Sequence, residues 1–508
     1  MENLGHVLNG FAVATEPMNL LFLLIGVLMG TVFGLMPGIG ASTTIALLLP
    51  VTFGLDPIGS LIMLSGIYYG AMYGNTGSAV LLNTPGTASA AMTTVDGHPM
   101  ARNGRAGAAL AIAAIASFMA GTLSVVGLTL LAMPLSSFAL KFGPPEYFML
   151  MLLALTTVSA FTGTAVAKGL ISALLGLMLA TVGADMQTNV FRFTMGVPEF
   201  QEGISFLIVI IGLFAVAEAF QNVERWFRGE LSVIPIRGKL WFTREEWRRA
   251  RGAIARGGII GFLVGVLPGA GGTIATVLAY TAEKRISKEP ERFGKGAVEG
   301  LAAPEAANNA SASGAFVPLL TLGVPGSGVA AVLLAAFVLF GIQPGPLLFR
   351  TQPDLVWGLI DSMYLGNVIL LILNLPLIGL FVRILYIPPG ILVPIILVIA
   401  SLGTYSTNNS VVDLQLLLFF GFLGYGFRKF DIPIPPLVLG IVLGGMLEQT
   451  LRQALIISNG DPAILVSGGI CQALTAMIVL SFALSILKPL KALLGFRPAP
   501  RDAGGDDE

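Results

Sequence analysis

Four stretches centred on glycine and proline carry most of the residues that could do chemistry. The first is Pro37-Gly38-Ile39-Gly40, followed by Ser42, Thr43 and Thr44. In the second, Asn75 and Thr76 precede Asn83-Thr84-Pro85-Gly86. The third is Pro268-Gly269-Ala270-Gly271-Gly272 with Thr273, and the fourth has Asn308, Asn309 and Ser311 ahead of Thr321 and Val324-Pro325-Gly326-Ser327. Proline lacks an N–H and clashes with the preceding turn, and glycine adopts backbone shapes closed to other residues, so each stretch should end one helix and start another. A helix start presents free N–H groups and a partial positive charge, which suits a carboxylate, while free carbonyls at a helix end suit a cation. The polar side chains beside the breaks are neutral donors and acceptors, suited to binding a small anion. Asn75, Asn309 and Glu305 are the candidates for holding a coupling cation, Glu305 because a carboxyl group within a membrane segment is expensive unless it has a task.

The rest of the composition says what must position these residues. The chain has 508 residues, 55% of them apolar and 11% charged, with a mean hydropathy of +0.85. That is the composition of an all-α polytopic membrane protein. Lys plus Arg equals Asp plus Glu at 28 each, leaving no basic field for nucleic acid. One cysteine, Cys471, and two histidines, His6 and His98, leave too few ligands for a disulfide, a structural metal or a haem, so no cofactor is expected beyond a Na+ or H+ coupling ion. No Lys or Arg precedes Arg102, so the start lacks the charge of a cleaved signal peptide.

A span takes roughly 20 apolar residues to cross about 30 Å of hydrocarbon. Full spans are expected over 60–94, 106–133, 147–166, 169–185, 203–222, 300–340, 355–384, 388–403, 413–427, 432–447 and 463–487, about 11 to 12 spans, with re-entrant and discontinuous helices in addition. The densest positive block, 223–256, has nine Arg or Lys against four acids and is read as a cytoplasmic linker. Its Trp226, Phe227, Trp241, Phe242 and Trp247 fit a short amphipathic helix at the headgroups. Counting outward from it places Arg102, Arg105, Lys168, Arg428, Lys429 and the tail 491–508 inside and the N-terminus outside. Residues 257–282 lie between two basic loops and are split by Pro268-Gly269, so both ends are expected on one side. A re-entrant hairpin of two half-helices of about 11 residues, each near 16 Å, fits this better than a kinked span.

The halves repeat one another. Gly30-x-x-x-Gly34-Leu35-Met36-Pro37-Gly38-Ile39-Gly40 matches Gly261-x-x-x-Gly265-Val266-Leu267-Pro268-Gly269-Ala270-Gly271, an offset of 231, and Leu81-Leu82-Asn83-Thr84-Pro85-Gly86-Thr87 resembles Leu319-Leu320-Thr321-Leu322-Gly323-Val324-Pro325-Gly326-Ser327, with two extra residues in the later copy. The loop after the first copy has Asp56-Pro57 and no Lys or Arg, whereas the second has the basic run Lys284 to Lys295, so the copies should be inverted. The expected organisation is a first repeat at 1–222, the linker 223–256, a second repeat at 257–490 and a polar tail. Inverted repeats with interrupted helices point to a secondary transporter whose site lies between them at the bilayer midplane.

At these motifs the sequence resembles the large membrane subunit of the tripartite tricarboxylate transporters, the TctA family. Besides the breaks, Tyr69-Gly70-Ala71-Met72-Tyr73-Gly74-Asn75-Thr76 and Pro304-Glu305-Ala306-Ala307-Asn308-Asn309 carry the likeness, which extends from about residue 15 to 490. The resemblance implies a non-enzymatic permease of the bacterial inner membrane. It also implies a small integral membrane subunit like TctB, a periplasmic solute-binding protein like TctC, and symport of a di- or tricarboxylate such as citrate with Na+ or H+. The absence of a Gly-x-x-x-x-Gly-Lys-Ser/Thr loop agrees with a drive other than ATP. A second copy of the chain is a further candidate partner. The alternative reading is a channel, since glycine-rich re-entrant loops also build selectivity filters. A serine-protease reading fails because neither histidine falls in a membrane helix.

Two expectations concern charge and motion. No arginine lies within the four breaks, so substrate charge should be met by backbone dipoles and a co-bound cation. Glu218, Asp361 and Glu448 should sit near helix ends, incompletely buried. The hairpins and broken helices should slide together against a scaffold of the other spans, with rocking of the two halves as the runner-up.

Overall fold

The computed structural model describes residues 2–36, 39–52, 54–161, 166–185, 187–228, 241–269, 271–381, 383 and 389–493. Two helices, α1 (Glu2–Ala14) and α2 (Pro17–Leu35), open the chain, and the latter starts at a proline that sacrifices no helical hydrogen bond. After the first break come α3 (Ala41–Leu48), α4 (Pro57–Leu82), α5 (Ala91–Met100) and α6 (Ala106–Ala139). Next are α7 (Pro144–Phe161), α8 (Val166–Ala180), a two-residue antiparallel ladder of β1 (Gly183–Ala184) with β2 (Phe191–Arg192), and α9 (Phe206–Ile210), which passes through a π turn into α10 (Ala217–Arg228).

The second half repeats the scheme with α11 (Arg244–Val266), α12 (Gly271–Ile286), α13 (Val298–Leu322) and α14 (Gly328–Leu339). It continues through α15 (Leu348–Thr351), α16 (Pro353–Asn374), α17 (Ile378–Phe381), α18 (Pro389–Asn408), α19 (Val411–Lys429), α20 (Ile434–Ile457) and α21 (Gly469–Leu493). Among the described residues six helices are long and apolar enough to cross a membrane, and five shorter apolar ones accompany them. The chain is an all-α polytopic membrane protein.

Glycine ladders set the core. Gly26, Gly30 and Gly34 of α2 lie against the backbone of Met63, Ile67 and Ala71 of α4, and a Cβ at any of them would overlap a carbonyl oxygen. In the second half Gly257, Gly261 and Gly265 of α11 lie against Ala303, Ala307 and Ser311 of α13 in the same way. Small residues every fourth position let helix backbones touch where no apolar solvent contrast drives them together. Residue numbers rise together on both members of each pair, so α2 runs parallel to α4 and α11 parallel to α13. Two parallel neighbours require the segment between them to travel back. Hence α3 and α12 are return arms, and the segments through both breaks are helical hairpins rather than single kinked helices.

The arms differ from the expected half-helices. α11 has 23 residues and α12 has 16. Thr243 accepts a hydrogen bond from the Glu246 N–H while the Glu246 side chain returns to the Thr243 N–H, a capping box that starts α11 inside the basic stretch. Residues 244–256 therefore continue into the hairpin as one helix, instead of forming a separate helix at the headgroups. Residues 229–240 of the linker and 494–508 of the tail lie outside the described residues.

The broken spans are α4 and α13, buried over nearly their whole lengths. Each ends on a left-handed residue, Asn83 (φ 54°) and Gly323 (φ 69°), which stops the helix and turns the chain toward Pro85-Gly86 and Pro325-Gly326. The expected spans 60–94 and 300–340 are thus helix–break–helix units.

Buried acids outside the breaks tie the periphery together. Asp96 of α5 accepts hydrogen bonds from the backbone N–H groups of Gly294 (2.9 Å), Gly296 (2.9 Å) and Ala297 (2.7 Å) and from the Tyr280 hydroxyl (3.0 Å). A carboxylate of the first half thereby anchors the α12–α13 loop of the second. Asp96→Ala should leave these donors without their acceptor and destabilise the protein by about 3 kcal/mol, read as a lowered melting temperature in detergent. Asp185 holds the β1–β2 hairpin and is kept well below the usual carboxylate range, first by the backbone N–H groups of Thr188 and Gln187 and then by Arg452.

Candidate functional site

The breaks meet at one cavity of about 420 Å³. Its walls include the start of α3 (Gly40, Ala41, Ser42, Thr43), the start of α12 (Gly271, Gly272, Thr273), the start of α14 (Ser327, Gly328) and the Gly86–Ser89 turn that leads into α5. Four helix beginnings from two hairpins and two broken spans therefore converge. Pro-Gly chemistry makes this possible, because each break frees the N–H groups of the following helix. Gly271 N–H donates to the Gly326 carbonyl (3.2 Å), locking the second hairpin tip to the fourth break. The Ser327 hydroxyl caps α14 by accepting from Ala330 N–H (3.1 Å) and lies 3.3 Å from the Tyr68 hydroxyl.

Asn308 and Ser311 complete the polar wall on α13. Asn308 is 1% exposed, and neither its amide oxygen nor its nitrogen has a hydrogen-bond partner. A buried, unsatisfied amide on a cavity wall is a group awaiting a ligand or water. Opposite in origin, the π turn before α10 contributes Phe214, α10 contributes Glu218 and Gln221, and α19 contributes Arg428. The Arg428 guanidinium pairs with Glu218 and donates to Gln221 Oε1 (2.7 Å). The site thus holds a fixed cation of its own, where the sequence points to backbone dipoles and a co-bound cation. The charge count along the chain places Arg428 on the inside, because it registers membrane side and not what the helix end faces. A second cavity, about 430 Å³, lies between the 341–352 loop and α20 and has no charged side chain in its wall. An anion has less to hold it there.

A family model described as the tripartite tricarboxylate transporter TctA family matches residues 20–439, a stretch that contains all four breaks and Arg428. The chain belongs to the TctA family. Two curated relatives come from Agrobacterium vitis. One, named as an uncharacterized 52.8 kDa protein in the TAR-I ttuC' 3'region, is 46% identical over 492 residues, covering 97% of this chain and 98% of that protein. The other, an uncharacterized protein in the TAR-II ttuC' 3'region, is 47% identical over 232 residues, 46% of this chain and 96% of its own length. No solved structure matches the chain. As a TctA-family protein it is a membrane component of a tripartite transporter, a class that works with TctB- and TctC-type partners.

In this TctA-family chain the anticipated residues that the structure describes divide into four groups. Gly40, Ser42, Thr43, Gly86, Gly271, Gly272, Thr273, Asn308, Ser311 and Ser327 line the cavity. Asn75 stands behind it, donating to the Thr87 hydroxyl (2.8 Å), which in turn lies 2.9 Å from the Ser89 hydroxyl. Thr76 and Asn309 turn the other way, toward Glu305. The remainder shape the breaks: Asn83 is the exposed left-handed cap of α4, Thr84 donates to the Leu82 carbonyl, Gly269 (φ 78°) packs on α7 at Val158, and Gly326 packs on Gly265. Pro37 and Gly38 lie outside the described residues. Missed by sequence reasoning were Tyr68, Thr87, Ser89, Gln221 and Arg428.

Two acids also depart from expectation. Glu218 and Asp361 are 1% and 0% exposed, whereas Glu448 is partly exposed and paired with Arg192 and Arg452. Asp361 is covered because α1 packs on α16 at Gly10, whose missing side chain leaves room for the carboxyl. Glu218 is covered by its partner helix α19.

Proposed function

We propose that the chain is the permease subunit of an importer that takes an organic di- or tricarboxylate from a periplasmic solute-binding protein across the bacterial inner membrane, driven by a gradient of H+ or Na+. The N-terminus would lie in the periplasm and the C-terminus in the cytoplasm, with the small TctB-like subunit, and in some assemblies a second copy, alongside. The observation that carries this reading is the convergence of four helix starts, the unpartnered Asn308 amide and Arg428 on one cavity. Helix starts favour anions by their dipoles and free N–H groups, and a guanidinium adds planar, bidentate recognition of a carboxylate. Carboxylates need no chemistry here, only a wet pocket with converging N–H donors and a guanidinium that can exchange partners.

The cavity also has two kinds of wall. The hairpins and broken spans supply one, held together by the glycine ladders, while the π turn, α10 and α19 supply the other. Sliding of the first group along the second would carry a bound anion, so cysteine pairs between Ser42 or Thr273 and α19 should crosslink at different heights in the two states. An unchanged register would favour rocking.

Reconstitution with the small subunit and candidate solute-binding proteins tests the function. Labelled citrate, tartrate and succinate should give saturable accumulation under an imposed cation gradient. Flux that ignores the gradient and does not saturate would mean a channel.

A further inference from the structure

Glu305 sits in a second polar site, separate from the cavity. It is 0% exposed on α13. Its Oε1 accepts from the Thr93 hydroxyl (2.5 Å) and its Oε2 from the hydroxyls of Thr76 (2.7 Å) and Ser117 (3.3 Å). Asn309 closes the basket by donating to the Ser117 hydroxyl (2.6 Å). Beside it lies a space of about 10 Å³, lined by Tyr73, Thr76, Ser117 and Asn374 among others, which is room for a single water. The Tyr73 hydroxyl is buried there without a partner.

The charged and titratable groups nearby are few, and all but Tyr73 are otherwise engaged. From α4 there is Tyr73. From α5, Asp96 lies one turn beyond Thr93, with its carboxylate taken by the 294–297 backbone and Tyr280, and His98 follows with its Nδ1 3.1 Å from the Val80 carbonyl of α4. From α11, Arg256 is paired with Glu283 of α12, and Arg249 with Glu245, Glu289 and Glu299. α6 brings Ser117. Among the described residues no Lys or Arg is paired with Glu305.

Three elements have one foot in each site. On α13, Asn308 faces the cavity and its neighbour Asn309 faces the basket. On α4, Asn75 binds Thr87 of the cavity rim and its neighbour Thr76 binds Glu305. Along α5 and the turn before it, Ser89 lines the cavity and Thr93 binds Glu305. Adjacent residues on a helix point in different directions, so a small rotation of one helix alters both sites together.

We propose that Glu305 is the proton-carrying group of this transporter, loaded from one side of the membrane and emptied to the other in step with the anion in the neighbouring cavity. The inference deepens the transport reading and rests on it. The step is one proton added to a carboxylate oxygen and later lost from it, with no other bond changed. A lone carboxyl ringed by hydroxyl groups and shut away from water suits a proton. A metal cation would have to turn away the three O–H donors that point at the carboxylate, whereas a proton sits on a carboxylate oxygen without that rearrangement. Neutralising Glu305 removes the cost of carrying a bare charge through a dry region, so the loaded carrier moves more readily than the empty one.

Infrared difference spectra of the purified full-length chain between acid and alkaline pH should show a buried carboxylic-acid carbonyl band. It should vanish in Glu305→Gln, persist in Asp361→Asn, and move to higher frequency in Thr93→Val, which removes one hydrogen bond. In proteoliposomes with the partner subunits and labelled citrate as probe, an inward pH gradient should drive accumulation in the parent and about tenfold less in Glu305→Gln. A carbonyl band unaffected by Glu305→Gln and Thr93→Val overturns the assignment. Accumulation driven by sodium alone overturns it as well. Should the parent transport none of the candidate anions, the transport reading falls, while the carbonyl band still decides where the proton sits.

Discussion

Arg428→Gln should weaken carboxylate binding by about a hundredfold, measured as KM for uptake and as equilibrium binding to the purified chain. A hydrogen bond to a charged partner contributes about 1.5–3 kcal/mol, and a hundredfold change in affinity is about 2.7 kcal/mol. The effect rests on one competition. In the present structure the guanidinium is held by Glu218 and Gln221 at the cavity wall. An entering carboxylate presents the same chemistry as Glu218 and must share or replace it. Glu218→Gln should therefore raise affinity by about threefold to tenfold, since a neutral amide holds the guanidinium less tightly than a carboxylate. If Arg428 serves only to neutralise Glu218 between α10 and α19, the two variants will instead be equally harmful, and both will lower the melting temperature. The sign of the Glu218→Gln effect on affinity separates substrate recognition from packing. Dipole-only recognition predicts that neither variant changes KM.

That contrast also marks how far the sequence could be read. The breaks were legible because their cause is local: proline and glycine interrupt a helix wherever they stand, and Gly30-x-x-x-Gly34 repeated 231 residues later reports two surfaces built for backbone contact. The return direction of the second hairpin was legible from charge, as basic loops flank 257–282. Glu305, Asn308 and Asn309 were legible because polar side chains in an apolar run demand partners. What lay hidden depends on tertiary neighbours. Arg428 comes from the end of a helix more than a hundred residues beyond the last break, and nothing near it in sequence mentions the cavity. Asp361 looked exposed because its cover is α1, a helix at the opposite end of the chain that meets it through Gly10. The start of α11 was misjudged for another reason. Arginine and tryptophan within 223–256 have the composition of a membrane-surface helix, but the Thr243–Glu246 box starts a helix that continues into the hairpin. Composition reports the surroundings of a segment; caps and breaks report where it begins and ends.

Gly261→Leu and Gly30→Leu should each destabilise the protein by more than about 3 kcal/mol, beyond the usual cost of an overpacked side chain, because the obstacle is main chain and has no rotamer to escape into. A Cβ at Gly261 would overlap the carbonyl of Ala307, and one at Gly30 the carbonyl of Ile67. Relief requires moving α11 from α13, or α2 from α4, along the whole ladder, and those shifts carry the hairpin tips away from the cavity. Gly445 of α20 is the control: nothing lies within 4 Å of the position its Cβ would take, so Gly445→Ala should be neutral or gain about 0.5–1 kcal/mol from better helix propensity. Thermal unfolding in one detergent, with size-exclusion profiles to detect loss of the folded form, reads all three. Parallel pairing through equivalent ladders predicts nearly equal losses in the two halves. A mild effect at Gly30 with a severe one at Gly261 would mean that the first hairpin is free to separate from its span, and only the second could then hold one side of the cavity rigid while the anion is carried.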